Sequence, residues 1–162
     1  KLFKLRQREP ISAVLQQKDV IVVIPTGGGK TIIYTLPTLL MAGITLVVLL
    51  MLMVDESLKL REMGIKASYV NSMLTKENHD SKLFTTDSEY KILLTSPEVL
   101  ISSSMYKLTE KLQTEGRLNF FAIDEAHCIE TWGVDLRLEY QELGSLRKYD
   151  VPINWNSNPF NH

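Results

Sequence analysis

Two short stretches of this sequence carry residue types that could do chemistry together. The first is "PTGGGKT", Pro25–Thr31, directly behind the apolar run "VIVVI", Val20–Ile24. A glycine-rich turn between a buried strand and a helix aims consecutive backbone N–H groups at one anion, and the helix N-terminus adds its partial positive charge. Lys30 would then reach the β- and γ-phosphates of ATP, and the Thr31 hydroxyl would ligate Mg2+. Thr26, Gly27, Gly28 and Gly29 line the cradle, and a Cβ at any of the three glycines would hold phosphate away from the backbone. The strict pattern asks for glycine where Ile24 stands. The strand before, the helix after and the Lys-Thr pair in register still favour a phosphate loop over a surface turn with a solvated lysine.

The second stretch is "NFFAIDEAHC", Asn119–Cys128, at the end of another apolar run. Hydrolysis at a phosphate loop needs one carboxylate to hold Mg2+ and a second group to orient water. Asp124 is the candidate for the first role and Glu125 for the second. Taken alone, two carboxylates after a strand read equally well as helix caps, and a lone His127 is more often structural than catalytic. With a phosphate loop upstream, the pair points to nucleotide hydrolysis.

These residues need a scaffold, and the sequence alternates strand-like and helix-like segments to build one. Strands are expected at Val20–Ile24, Thr45–Leu50, Ala67–Val70, Lys91–Leu94 and Leu118–Ile123. Helices are expected near Glu9–Gln17, Lys30–Met41, Val54–Met63, Lys76–Thr85, Pro97–Ile101 and Tyr106–Glu115. Several strands are unbroken apolar runs, the mark of burial on both faces, so the fold class is α/β, a mostly parallel β-sheet with helices on both faces. "SSS", Ser102–Ser104, suits a loop or a helix start, where hydroxyls cap amides. The tail from Asn154, "NWNSNPFNH", has no periodicity and is expected to be irregular.

The bulk properties bound the rest. The chain has 162 residues, 44% of them hydrophobic, which suits one domain with a real core. Lys and Arg number 18 against 19 Asp and Glu, so overall charge does not announce a nucleic-acid partner. Cys128 is the only cysteine, which excludes a disulfide framework and fits a reducing compartment. Lys1–Pro10 is charged throughout and does not read as a signal peptide. Thr35–Val54 carries no charge, approaching the roughly 20 residues of a membrane span. Pro37 and Gly43 punctuate it, and it reads as a buried helix end followed by a buried strand. No membrane partner is expected.

Together, "PTGGGKT" and "DEAHCIETWGVDLR", Asp124–Arg137, resemble the RecQ family of superfamily 2 DNA helicases, over nearly the whole chain. The resemblance implies a RecA-like P-loop NTPase domain spanning residues 1–153, the first motor domain of an ATP-dependent 3′-to-5′ helicase. It also implies a second RecA-like domain elsewhere, which would contribute arginine fingers worth about 10³–10⁵ in rate. "FKLRQREPI", Phe3–Ile11, is similar to the family's adenine-reading motif, implying that Gln7 and Lys4 contact the base, with lysine where arginine is usual. His127 would couple hydrolysis to movement. Ser96 in "TSPEVL" would lie near the DNA path, and Trp132 and Arg137 would contact single-stranded or partly duplex DNA, an exposed indole being able to stack on an unpaired base. Val134, Leu136 and Leu49–Met51 depart from the family pattern, and its Thr-Ala-Thr motif is absent after Val151–Ile153. An RNA-directed DExH helicase and a degenerate, non-catalytic nucleotide-binding module are the alternatives. The implied substrate places the protein with the genome, in the nucleus of a eukaryote.

Overall fold

A computed structural model describes residues 7–25, 27–49, 53–70, 89–124 and 143–157. Its framework is a six-stranded parallel sheet. The strands are β1 (Val20–Val23), β2 (Ile44–Val48), β3 (Ala67–Val70), β4 (Ile92–Thr95), β5 (Leu118–Ile123) and β6 (Ile153–Ser157). Their spatial order is β1-β6-β5-β2-β4-β3, with every pair parallel. α1 (Arg8–Leu15) precedes β1, and between the strands run α2 (Thr31–Leu40), α3 (Met53–Glu62), α4 (Pro97–Leu100) and α5 (Ser103–Thr114), with a 3₁₀ segment over Leu143–Tyr149.

The apolar runs form the middle of the sheet because both of their faces are covered. β2, β4 and β5 are buried at every position. On one face Leu46, Leu93 and Phe121 pack with Leu100, Met105 and Leu108 from α4 and α5. On the other, Val47, Leu94 and Ala122 pack with Val14 of α1, Tyr34 of α2 and Leu60 of α3. The in-register pairs Leu46↔Leu93 and Val47↔Leu94 keep each row of side chains on one face. β1 differs: it is apolar throughout but sits at the sheet edge, where Ile21 is 78% exposed.

The uncharged run splits as expected. Pro37 lies inside α2, and the chain turns through Met41–Gly43 into β2. Among the described residues no helix is long and apolar enough to cross a membrane. Gly43 is needed for a different reason from the helix stop expected of it. Its φ is not left-handed; a Cβ there would stand 2.1 Å from the Arg117 carbonyl oxygen. That close approach lets the Gly43 N–H donate to Asn119 Oδ1 at 3.0 Å. The Ser102 hydroxyl accepts from the Met105 N–H and caps α5, as "SSS" suggested. The expected helix Lys76–Thr85 lies outside the described residues.

The expectation of an irregular tail from Asn154 is corrected: Asn154–Ser157 continue β6, a strand inside the sheet. β6 pairs with β1 through Val20↔Asn154 to Val23↔Ser157 and with β5 through Phe121↔Ile153 to Ile123↔Trp155. Asparagine is depleted in strands, so "INWNS" gives no strand signal; backbone pairing on both sides imposes the conformation. The consequence is two fully buried asparagines, Asn154 and Asn156, whose amide groups find no hydrogen-bond partner among the described residues. Asp19, just before β1, fixes the start of β6: its carboxylate accepts from the Ile153 N–H at 2.9 Å and pairs with Arg147.

Two stability effects are expected. Asn156→Val removes an unsatisfied buried amide and should stabilise the fold by about 1–3 kcal/mol, read as a higher urea midpoint at unchanged slope. The Ile153 N–H, and then Arg147, hold the Asp19 carboxyl below its ordinary value of 3.8. A depressed carboxyl stabilises the fold above its unfolded value, and the benefit fades as pH falls through the folded one. The stability gap between wild type and Asp19→Asn should therefore be full at neutral pH and close below about pH 4, as denaturant titrations at each pH would show.

Candidate nucleotide site

The phosphate loop leaves the end of β1 and enters α2. Gly27 and Gly29 adopt left-handed φ values of 74° and 84°, which glycine alone adopts freely, and the Gly28 N–H donates to the Pro25 carbonyl at 2.9 Å. α2 begins at Thr31 with Lys30 as its N-cap residue, and the Ile33 N–H returns to the Lys30 carbonyl at 2.9 Å. A tight turn thus feeds a helix N-terminus, the backbone geometry that binds anions.

The carboxylate arrives from two strands away. Asp124 follows β5, anchored by its N–H to the Val48 carbonyl at 3.0 Å, and its Oδ1 lies 3.8 Å from Lys30 Nζ. Both side chains are largely buried, at 10% and 18% exposure. The pair stands beyond the carboxyl ends of β1 and β5, where open parallel sheets place their ligands. Lys30, Asp124, Gly27, Gly28, Gly29 and Thr31 are therefore gathered in one region.

Two features escaped the sequence. Gln7 is buried, and its Nε2 donates to the carbonyls of Gly28 at 3.1 Å and Gly29 at 3.2 Å. The amide expected at the adenine edge is thus tied in this structure to the phosphate loop. The other is Glu56 on α3, whose Oε1 accepts from the Tyr34 hydroxyl at 3.0 Å and from the Thr31 hydroxyl at 3.4 Å. Burial first, then the Glu56 charge, hold the Tyr34 hydroxyl well above the ordinary tyrosine range. Nothing in "VDESLK" marks Glu56 out, because the two hydroxyls it accepts from lie on a different helix.

Ser96 sits between β4 and α4, its hydroxyl buried and without a hydrogen-bond partner among the described residues. Lys4, Thr26, Glu125, His127, Trp132 and Arg137 lie outside the described residues.

A parallel sheet whose edge strand feeds a glycine-rich loop, a Lys-Thr helix start and an opposing carboxylate define a RecA-like P-loop NTPase domain. The family model described as DEAD/DEAH box helicase matches residues 4–154, and the chain belongs to that family. It is similar to the ATP-dependent DNA helicase Q1 of Rattus norvegicus, 38% identical over 152 residues that make up 90% of this chain and 24% of that protein. It is likewise similar to the ATP-dependent DNA helicase RecQ of Haemophilus influenzae, 39% identical over 93% of this chain and 25% of the relative. The probable ATP-dependent DNA helicase RecS of Bacillus subtilis is 44% identical over 90% of this chain and 29% of its own length. The chain thus spans a quarter to under a third of these relatives. The DUF1998 helicase MrfA, in a crystal structure bound to DNA and AMPPNP, shares the fold with a TM-score of 0.70 at 21% identity, over 98% of this chain and 24% of that one.

Gly29→Ala tests the loop. The new Cβ would stand 2.4 Å from Gln7 Nε2 on a left-handed backbone, so a stability loss of about 1–2 kcal/mol is expected. In a Gln7→Ala background only the backbone share of that loss should remain, as urea denaturation of the double-mutant cycle would show.

Proposed function

We propose that this chain is the first motor domain of a RecQ-like, ATP-dependent 3′-to-5′ DNA helicase, which binds and hydrolyses ATP with Mg2+ to move along single-stranded DNA. The observation that carries the reading is the 3.8 Å approach of Lys30 to Asp124 at the mouth of a glycine-rich loop. The relatives, all DNA helicases, supply the substrate class.

The residues divide the work. Backbone N–H groups of the loop hold the phosphates, and Lys30 leaves Asp124 to meet the β- and γ-oxygens. The Thr31 hydroxyl and the Asp124 carboxylate are hard oxygen donors of the kind magnesium takes, so the donor set fits that ion. Bound magnesium would offset the phosphate charge as it builds. Glu125 orients the attacking water, and His127 links the site to the DNA-contacting segment that holds Trp132 and Arg137. Gln7 and Lys4 read the adenine, Gln7 by exchanging its loop carbonyls for the base. A second RecA-like domain closes over the nucleotide, and the protein works where the genome is, in the nucleus of a eukaryotic cell.

The test is calorimetric binding of a non-hydrolysable ATP analogue with magnesium, with and without single-stranded DNA. Lys30→Ala removes a charged phosphate contact and should weaken binding about 10- to 100-fold. Unchanged affinity in Lys30→Ala would dismiss the phosphate loop. Alone, this domain should bind nucleotide weakly and hydrolyse it poorly; a helicase assay on the full-length protein, second motor domain included, should show unwinding of DNA duplexes, and unwinding confined to RNA would move the assignment to an RNA-directed helicase.

A further inference from the structure

Glu56 is a carboxylate that the nucleotide-binding reading leaves without a task, yet it reaches the first turn of the loop's own helix. Its Oε1 takes hydrogen bonds from two α2 hydroxyls, Tyr34 at 3.0 Å and Thr31 at 3.4 Å. Its Oε2 lies 3.7 Å from Lys59 Nζ, one turn further along α3. The Glu56 side chain is only 18% exposed, and Tyr34 is buried. A carboxylate so enclosed is fixed in place: the shorter bond to Tyr34 and the Lys59 pair hold it where Thr31 can use it.

The chemistry of a metal-ligating hydroxyl explains why that matters. When a threonine oxygen gives a lone pair to a cation, its hydrogen must point elsewhere and find an acceptor. With no fixed acceptor, the hydroxyl rotates among its staggered positions, some of which aim the hydrogen at the cation. Resting on the phosphate-loop reading, we infer that Glu56 is a positioning residue, accepting the Thr31 hydrogen and so turning the hydroxyl oxygen toward the magnesium of a bound nucleotide. It touches neither nucleotide nor metal. It acts through Thr31, as outer-shell partners act through the ligands they orient, and losing such a partner typically costs about 10–100-fold in metal affinity.

The inference separates from a merely structural role by its dependence on magnesium. Calorimetry with a non-hydrolysable ATP analogue would be run in excess magnesium and again in EDTA, on wild type, Glu56→Ala and Glu56→Gln, with melting temperatures for each. Glu56→Ala should lose about tenfold in affinity with magnesium and almost nothing in EDTA. Glu56→Gln keeps an oxygen acceptor and should recover most of the loss. If Glu56→Ala does not fold, Glu56→Met keeps helix and length without the acceptor and is read the same way. Equal losses in both conditions, or no loss with magnesium, overturn the inference. Wild type that binds no analogue, or binds it equally well as Lys30→Ala, brings down the phosphate-loop reading and this inference with it. Lys30-dependent binding whose magnesium factor ignores Glu56 brings down this inference alone.

Discussion

The site depends on one spacing, the distance between β1 and β5, which β6 alone sets. Neighbouring strands lie about 4.8 Å apart, so β1 and β5, with β6 between them, stand about 10 Å apart. Across such a gap a lysine from the loop after β1 and an aspartate after β5 can meet, as Lys30 and Asp124 do. With β1 and β5 adjacent, the loop would crowd the carboxylate and leave no room for phosphate. With two strands between them, the side chains would not reach. Among the described residues β1 has β6 as its only strand partner, so the phosphate loop is held in the sheet through β6.

The strand that sets the spacing is also the one least suited to its place. Its two asparagines sit fully buried beside Val20 and Val22, where an apolar residue would satisfy both shape and solvation. What keeps it there lies outside the strand. Pro152 offers its carbonyl to the Phe121 N–H at 3.0 Å, and Asp19 receives the Ile153 N–H. The 3₁₀ segment packs Leu143, Leu146 and Tyr149 into the core, with the Tyr149 ring centroid 5.7 Å from that of Phe121. Anchors at the strand's N-terminal end and a packed lead-in thus override an unfavourable sequence.

This explains what the sequence revealed. The buried strands β2, β4 and β5 were legible because an unbroken apolar run bounded by turn residues has few other uses. α1, α2 and α5 were legible through helical periodicity, and the phosphate loop through its glycines between strand and helix. β6 was illegible because its conformation comes from neighbours far away in sequence rather than from its own residues. The same holds within the site: Lys30, Thr31 and Asp124 announce themselves by motif, whereas Gln7 at the loop and Glu56 at Thr31 depend on elements that meet only in the folded chain. Gly43 was legible as punctuation, but its reason, a backbone passing within reach of Arg117, is a tertiary fact.

The buried asparagines of β6 also bear on the order of assembly. A strand without intrinsic preference for its conformation has no reason to form early, and its contacts to β1 bridge almost the whole described chain, a separation that slows closure. The expected sequence of events is that β2, β4 and β5 condense first around their apolar faces, and that β6 and then β1 dock against this nucleus. Capacity to hold a nucleotide would then arrive with the last step of folding. A chain caught short of that step would keep most of its helices and central sheet while lacking the loop geometry altogether, so nucleotide binding would report completion of the fold more faithfully than secondary structure content does.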